Sequence, residues 1–217
     1  MLSAIKRLIK KTFIYNWYNS QKLKRKAFID KKLILDNWYQ NGKPLPPPHL
    51  YKIDNIRQYA NKFNTKIFIE TGTYLGETLN ASKQIFKKLI SIELDKTLYK
   101  NAANMFANDK HIKIYNGDSG LVLEEILIDV TEPCLFWLDG HYSEGITAKG
   151  ELNTPIIKEL KHIFNNPIKN HVVLIDDARC FNGEHDYPTI NELQKIVREY
   201  NPSYTFLVQD DIIRIHV

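Results

Sequence analysis

From residue 51 onward, short apolar runs alternate with amphipathic runs of helical period, and that alternation restricts the fold more than any other feature of the chain. The apolar runs are Lys66–Glu70, Lys88–Glu93, His111–Tyr115, Cys134–Leu138 and His171–Ile175. Each is strand length and bounded by turn residues. Helical patterns cover Tyr51–Phe63, Glu77–Phe86, Lys96–Phe106, Ser119–Ile128, Thr154–Phe164 and Pro188–Tyr200. Strands separated by helices pair in parallel and are covered on both faces. Two last strands, Tyr204–Val208 and Ile212–Val217, flank Gln209-Asp-Asp211. So tight a link leaves no room for a crossover helix, so these two form an antiparallel hairpin. The expected fold is α/β: a doubly wound, seven-stranded, mostly parallel sheet closed by a C-terminal hairpin.

Ahead of this domain lies a basic arm. Residues 1–43 hold eleven Lys and Arg against Asp30 and Asp36, whereas the remainder holds 19 basic and 23 acidic residues. The overall charge of +5 therefore belongs to the arm. A domain that is itself net acidic disfavours nucleic acid as partner. Leu2, Ile5, Ile9 and Phe13 recur at helical spacing among lysines. Such a helix packs on its own domain or on a second subunit, or lies on an anionic membrane surface. The arm closes at Gly42-Lys-Pro-Leu-Pro-Pro-Pro-His49, where four prolines in five residues favour an extended spacer. Residues 1–49 and 50–217 are the expected domains. No apolar run reaches membrane-spanning length, the basic N-terminus lacks a cleavage site, and Cys134 and Cys180 are too few for a disulfide framework. A cytoplasmic protein, peripheral at most to the inner membrane face, is expected. Abundant Lys, Ile and Asn point to an AT-rich, bacterial genome.

Open α/β sheets bind ligands at the C-terminal strand ends, where strand order reverses. After the first strand the chain reads Glu70-Thr-Gly72-Thr-Tyr-Leu-Gly76-Glu-Thr78. Gly72 permits a sharp turn and Gly76 a close approach at the next helix. The spacing Gly-x-x-x-Gly lacks the glycine that admits a pyrophosphate, and Glu77 stands where phosphate charge would fall, which argues against NAD and ATP. Glu93 ends the second strand 23 residues after Glu70 and can accept both hydrogen bonds of a ribose diol. Asp118 and Ser119 follow the third strand. An Asp there can accept from an adenine amino group, although by itself it is most simply the N-cap of the next helix.

Phe68-Ile-Glu-Thr-Gly-Thr-Tyr-Leu-Gly76, Ser91-Ile-Glu-Leu-Asp95 and Gly117-Asp118 resemble the first three motifs of class I S-adenosylmethionine-dependent methyltransferases. The resemblance spans roughly residues 60–217. It implies that Gly72 and Gly76 border the methionine part, that Glu93 holds the ribose, and that Asp118 and Ser119 lie near the adenine; Glu70, Thr71, Thr73, Thr78 and Asp139 complete the expected cofactor-binding residues.

Two more strands end in carboxylates, in Leu138-Asp-Gly-His-Tyr-Ser143 and Ile175-Asp-Asp-Ala-Arg179. If these strands are neighbours, Asp139, Asp176 and Asp177 converge. Three packed carboxylates repel and hold protons unless a cation compensates. A hard divalent ion, Mg2+ before Mn2+ or Ca2+, is the economical resolution; a single strand-end Asp is otherwise often a cap. Together with Thr147-Ala-Lys-Gly-Glu151 and Thr154-Pro-Ile156, these segments resemble the macrocin-type sugar O-methyltransferases and their relatives in bacterial polysaccharide clusters. That resemblance implies Asp139, Asp176 and Asp177 as metal ligands.

The expected reaction is methylation of a hydroxyl on a sugar or glycan precursor in polysaccharide biosynthesis. A metal would lower the hydroxyl pKa and fix its position, and a base would take the proton. His141 is the first candidate base and Asp139 the second. Lys149 and Arg179 could hold an anionic acceptor such as a sugar phosphate or nucleotide sugar. The competing reading is a non-catalytic scaffold that binds the cofactor and docks partners or membrane through the basic arm. Methylation of nucleic-acid bases is disfavoured, because the Asn/Asp-Pro-Pro-Tyr/Phe signature is absent.

Overall fold

The computed structural model describes residues 30–140 and 154–217. The chain divides into two compact units, Met1–Tyr51 and Lys52–Val217. In the first, residues 30–40 are helical (α1) and lead into the non-helical proline segment. The Trp38 indole N–H donates to the Pro44 carbonyl at 2.9 Å, and its ring meets Tyr51 at a centroid distance of 4.6 Å. A helix, α2 (His49–Lys62), begins as soon as the prolines end.

The second unit contains strands β1 (Ile67–Thr71), β2 (Lys88–Glu93), β3 (Ile112–Asn116), β4 (Cys134–Leu138), β5 (Val172–Ile175), β6 (Thr205–Gln209) and β7 (Ile212–His216). Between them lie α3 (Glu77–Ser82), α4 (Lys96–Met105), α5 (Ser119–Ile128), α6 (Ile156–Asn165) and α7 (Ile190–Tyr200). The sheet order is β3-β2-β1-β4-β5-β7-β6. The first five strands pair in parallel, and β7 is antiparallel to both β5 and β6. This is the seven-stranded mixed sheet with the terminal hairpin that the alternation predicts.

Alternation along each strand separates two cores. Ile67, Ile69, Ile90, Ile92, Phe136, Val173, Ile175, Ile213 and Ile215 share one cluster with Leu123 of α5, Leu160 and Ile163 of α6, and Leu193 and Val197 of α7. The intervening residues point to the other face, where Phe68 stacks on Phe86 at 5.0 Å. That stacking accounts for the most shortened helix. The pattern predicts α3 through Phe86, but it ends at Ser82, and the chain turns so that Phe86 can cover β1. Helix starts follow side-chain chemistry. Asp95 accepts from Thr97 N–H and Leu98 N–H to open α4, and Thr189 with Glu192 forms a reciprocal capping box on α7. Among the described residues, no helix is long and apolar enough to cross a membrane.

Strand order reverses between β1 and β4. The chain moves outward from β1 through β2 to β3, then returns to place β4 on the other side of β1. The C-terminal ends of β1 and β4 therefore border the crevice that doubly wound sheets use for ligands.

Candidate cofactor crevice and active site

The crevice floor is backbone. Asp139 N–H donates to the Thr71 carbonyl at 3.1 Å, and Gly72 N–H to the Ile92 carbonyl at 3.0 Å. The loop after β1 is thereby tied to β4 on one side and β2 on the other. Gly72 has φ +83°, and a Cβ there would stand 2.4 Å from the Asp139 carbonyl oxygen. Only glycine satisfies both conditions. Gly76 (φ +74°) closes a turn onto the Thr73 carbonyl at 2.8 Å and caps α3. Thr78 lies half-buried on the first turn of α3.

Glu93 sits at the end of β2 with both carboxylate oxygens held. Oε2 accepts from Tyr74 N–H and Oε1 from Asp95 N–H, each at 2.8 Å. Burial raises its pKa, and these two backbone bonds pull it back. Each oxygen keeps a further lone pair. The carboxylate thus links the loop after β1 to the loop after β2. Beneath it, Glu70 Oε2 accepts from Ser91 Oγ at 2.6 Å, and Ser91 Oγ lies 2.6 Å from Thr73 Oγ1. Glu70 is fully buried, which pushes its pKa up to about 8 against the pull of the Ser91 bond; Asp139 and Glu93 add repulsion.

Asp118 accepts from Gly120 N–H at 2.8 Å as the N-cap of α5, the simpler of its two readings. Its neighbour Ser119 turns inward and donates to Glu159 Oε1 at 2.6 Å. Glu159 is 1% exposed, and burial lifts its pKa to about 7. Asp118 and Asp139 raise it further, whereas the Ser119 bond lowers it. Glu159 Oε1 and Thr71 Oγ1 both lie beneath Gly140, where a Cβ would meet them at 3.3 and 3.1 Å. Glu159 is a buried carboxylate beneath the crevice that the sequence did not single out. Its signal was available: Ile156, Glu159 and Ile163 share one face of α6, so a carboxylate stands in an apolar stripe.

Asp139, Asp176 and Asp177 do converge. β4 and β5 are neighbours, and Asp176 feels the charge of both other carboxylates. Burial and that repulsion raise the Asp176 pKa; Lys52 opposes the rise. The Lys52 ammonium pairs with Asp176 Oδ2 and lies 3.7 Å from Asp177 Oδ1. The charge of Asp139 also reaches it, and the attraction of the three carboxylates outweighs burial and raises the lysine pKa. Asp177 adopts φ +53° and accepts from Arg179 Nη1 at 2.7 Å. Arg179 Nη1 also pairs with Asp211, whose carboxylate accepts from Arg179 N–H at 2.8 Å. Neither Lys52 nor Asp211 carried any sequence signal.

Two expectations change here. Among the described residues, no group of three or more His, Cys, Asp or Glu is arranged to hold a metal ion. The divalent ion expected at Asp139, Asp176 and Asp177 does not fit this donor set, because the chain's own cations already contact Asp176 and Asp177. Arg179, expected to hold an anionic acceptor, is committed to Asp177 and Asp211. His141 and Lys149 lie outside the described residues.

Beside the carboxylates, Tyr187 lines an open cleft of about 750 Å³ with Ile157, Asp186, Thr189, Glu192 and Lys195. Burial raises the Tyr187 pKa, and its hydroxyl feels Cys180, Asp177 and Asp139.

No protein-family model and no curated protein matches the sequence. Solved structures do match. A candidate caffeoyl-CoA O-methyltransferase from Staphylococcus aureus superposes with a TM-score of 0.53 at 19% identity, over 90% of this chain and 100% of that one. The O-methyltransferase TomG from Streptomyces achromogenes, solved with S-adenosylmethionine, gives 0.57 at 12% identity over 86% and 89%. An O-methyltransferase from Bacillus cereus, solved with S-adenosylhomocysteine, gives 0.57 at 10% identity over 86% and 90%. At these identities the likeness concerns the fold: the chain has the Rossmann-like methyltransferase fold.

Proposed function

We propose that this protein is an S-adenosylmethionine-dependent O-methyltransferase that acts on a hydroxyl of a sugar or glycan precursor. The observation that carries the reading is the coincidence of three features at the switch point. These are the glycine turn packed on Asp139, the Glu93 carboxylate pinned at the end of β2, and the carboxylate group after β4 and β5. The fold shared with cofactor-bound O-methyltransferases supports it.

The donor set suits the cofactor. Glu93 offers two anionic acceptors to a ribose diol, and Asp118 and Ser119 stand after β3 on the adenine side. Gly72 and Gly76 border the methionine part, backed by the buried Glu70, Thr71 and Thr73 and followed by Thr78 on the first turn of α3. When bound, S-adenosylmethionine supplies an electrophilic sulfonium methyl. Asp139, whose charge is felt by Asp176, orients the acceptor hydroxyl and takes its proton, alone or with His141. Holding the hydroxyl in line with the methyl converts an encounter into a positioned displacement.

The acceptor side favours a neutral sugar over a sugar phosphate or nucleotide sugar. The open cleft at Tyr187 presents Asp186, Glu192 and Glu199 against one Lys195. Carboxylates accept from sugar hydroxyls and repel phosphate. Among the described residues, Arg179 is already paired with Asp177 and Asp211.

The test is incubation of the full chain with methyl-labelled cofactor and a panel of neutral sugars, nucleotide sugars and sugar phosphates. Label should appear as a base-stable methyl ether on a neutral sugar. An Asp139→Ala chain should bind cofactor and transfer nothing, which separates an enzyme from a binding scaffold. Absence of cofactor binding in the unaltered chain would overturn the reading.

A further inference from the structure

Asp176 and Asp177 contact one cation that the charge of Asp139 also reaches, and that cation belongs to the chain. Lys52 reaches them from α2, its Nζ bonded to Asp176 Oδ2 and 3.7 Å from Asp177 Oδ1. Asp176 is held on its other side as well, since Oδ1 accepts from Asp177 N–H at 2.9 Å. Asp177 gives its Oδ1 to Arg179 at 2.7 Å. A hard divalent ion needs about six oxygens at roughly 2.1 Å, and its double charge would face an ammonium in contact with two of its own ligands. The two cations compete for one place. The Lys52 side chain keeps 17% of its surface accessible, so the ammonium is not sealed among the carboxylates. With three N–H donors, it can serve Asp176 and Asp177 and still reach a ligand in the crevice.

We infer that the Lys52 ammonium takes the role of a divalent ion in this site: it holds the acceptor hydroxyl by an N–H···O bond, and methyl transfer proceeds without metal. The inference rests on the O-methyltransferase reading for its substrate. The acceptor O–H proton passes to a carboxylate of the cluster and then to water. The oxygen lone pair forms the new O–CH3 bond, the C–S bond breaks, and its electron pair stays on sulfur as a neutral thioether. Lys52 gains and loses no proton in the step. Its charge offsets the negative charge that develops on the acceptor oxygen.

Manganese, read by electron paramagnetic resonance on the purified full chain, tests the competition directly. The unaltered chain and Lys52→Arg should leave millimolar Mn2+ free. Lys52→Ala, with three carboxylates and no ammonium, should bind one equivalent at least tenfold tighter. In parallel, transfer by the unaltered chain should stay within twofold after EDTA treatment. Lys52→Ala without metal should lose at least a hundredfold in turnover while cofactor affinity stays within threefold, and Lys52→Arg should recover part of it. One equivalent of Mn2+ bound at micromolar concentration by the unaltered chain would overturn the inference, as would activity lost in EDTA and restored by Mg2+. If Lys52→Ala does not fold, the unaltered chain's manganese titration decides alone. A chain that excludes Mn2+ but methylates no acceptor sinks the enzyme reading and leaves Lys52 as the resident cation.

Discussion

Gly72 and Asp139 are in backbone contact across the switch point: a Cβ on Gly72 would lie 2.4 Å from the Asp139 carbonyl oxygen. This contact sets the separation between the loop expected to bind the cofactor and the carboxylate expected to serve the acceptor. Gly72→Ala therefore carries two penalties, a left-handed φ and a steric overlap with backbone. The variant should lose on the order of 2–4 kcal/mol of stability in urea unfolding. Its cofactor affinity should fall at least tenfold in calorimetric titration. Unchanged affinity would mean that the crevice does not use this contact.

Glu93 joins two loops through its paired backbone bonds. Glu93→Gln keeps one acceptor oxygen and forces an amide N–H2 against a backbone donor. Calorimetric titration with S-adenosylhomocysteine should show a loss of tenfold or more, equivalent to about 1.4 kcal/mol. Unfolding should be affected less than in Gly72→Ala, since no backbone atom is displaced.

Glu159 links α6 to Ser119 while wholly buried, with its pKa raised to about 7. A raised carboxyl pKa means that the folded state prefers the neutral acid. Its contribution is complete below the unfolded pKa near 4.5 and is lost as pH rises through about 7. The span corresponds to about 3 kcal/mol as an order of magnitude. Glu159→Gln, which stays neutral, should flatten the decline in stability between pH 4.5 and 7. Parallel pH curves for both chains would show that Glu159 is ionised when folded.

Asp211 receives Arg179 through both its backbone and its guanidinium, and Arg179 in turn neutralises Asp177. Asp211→Ala should cost about 2 kcal/mol, below the range for a fully buried pair because Arg179 is 37% exposed and water screens it. Arg179 would then keep Asp177 as its partner with one carboxylate fewer around it, so phosphate should raise the melting temperature of this variant more than that of the unaltered chain. Equal phosphate effects would show that losing Asp211 does not open Arg179 to anions.

Much of this molecule follows from local pattern. The alternation of Ile67–Thr71, Lys88–Glu93 and Cys134–Leu138 with helical segments determines a doubly wound sheet, because each strand must bury both faces and each crossover needs a helix. The two-residue link at Asp210-Asp211 determines the antiparallel end. Gly72, Gly76 and Glu93 were legible as candidate ligand-binding positions because backbone freedom and strand-end placement both have sequence spacing. The partners of the carboxylates were not legible. Lys52 is one of 30 basic residues and lies 124 positions before Asp176, and no periodicity relates them. The convergence of Asp139, Asp176 and Asp177 called for a compensating charge, and sequence alone left its source open, with a metal as the economical choice. Tertiary structure supplies one such charge from the chain itself, since Lys52 of α2 pairs with Asp176 at the end of β5.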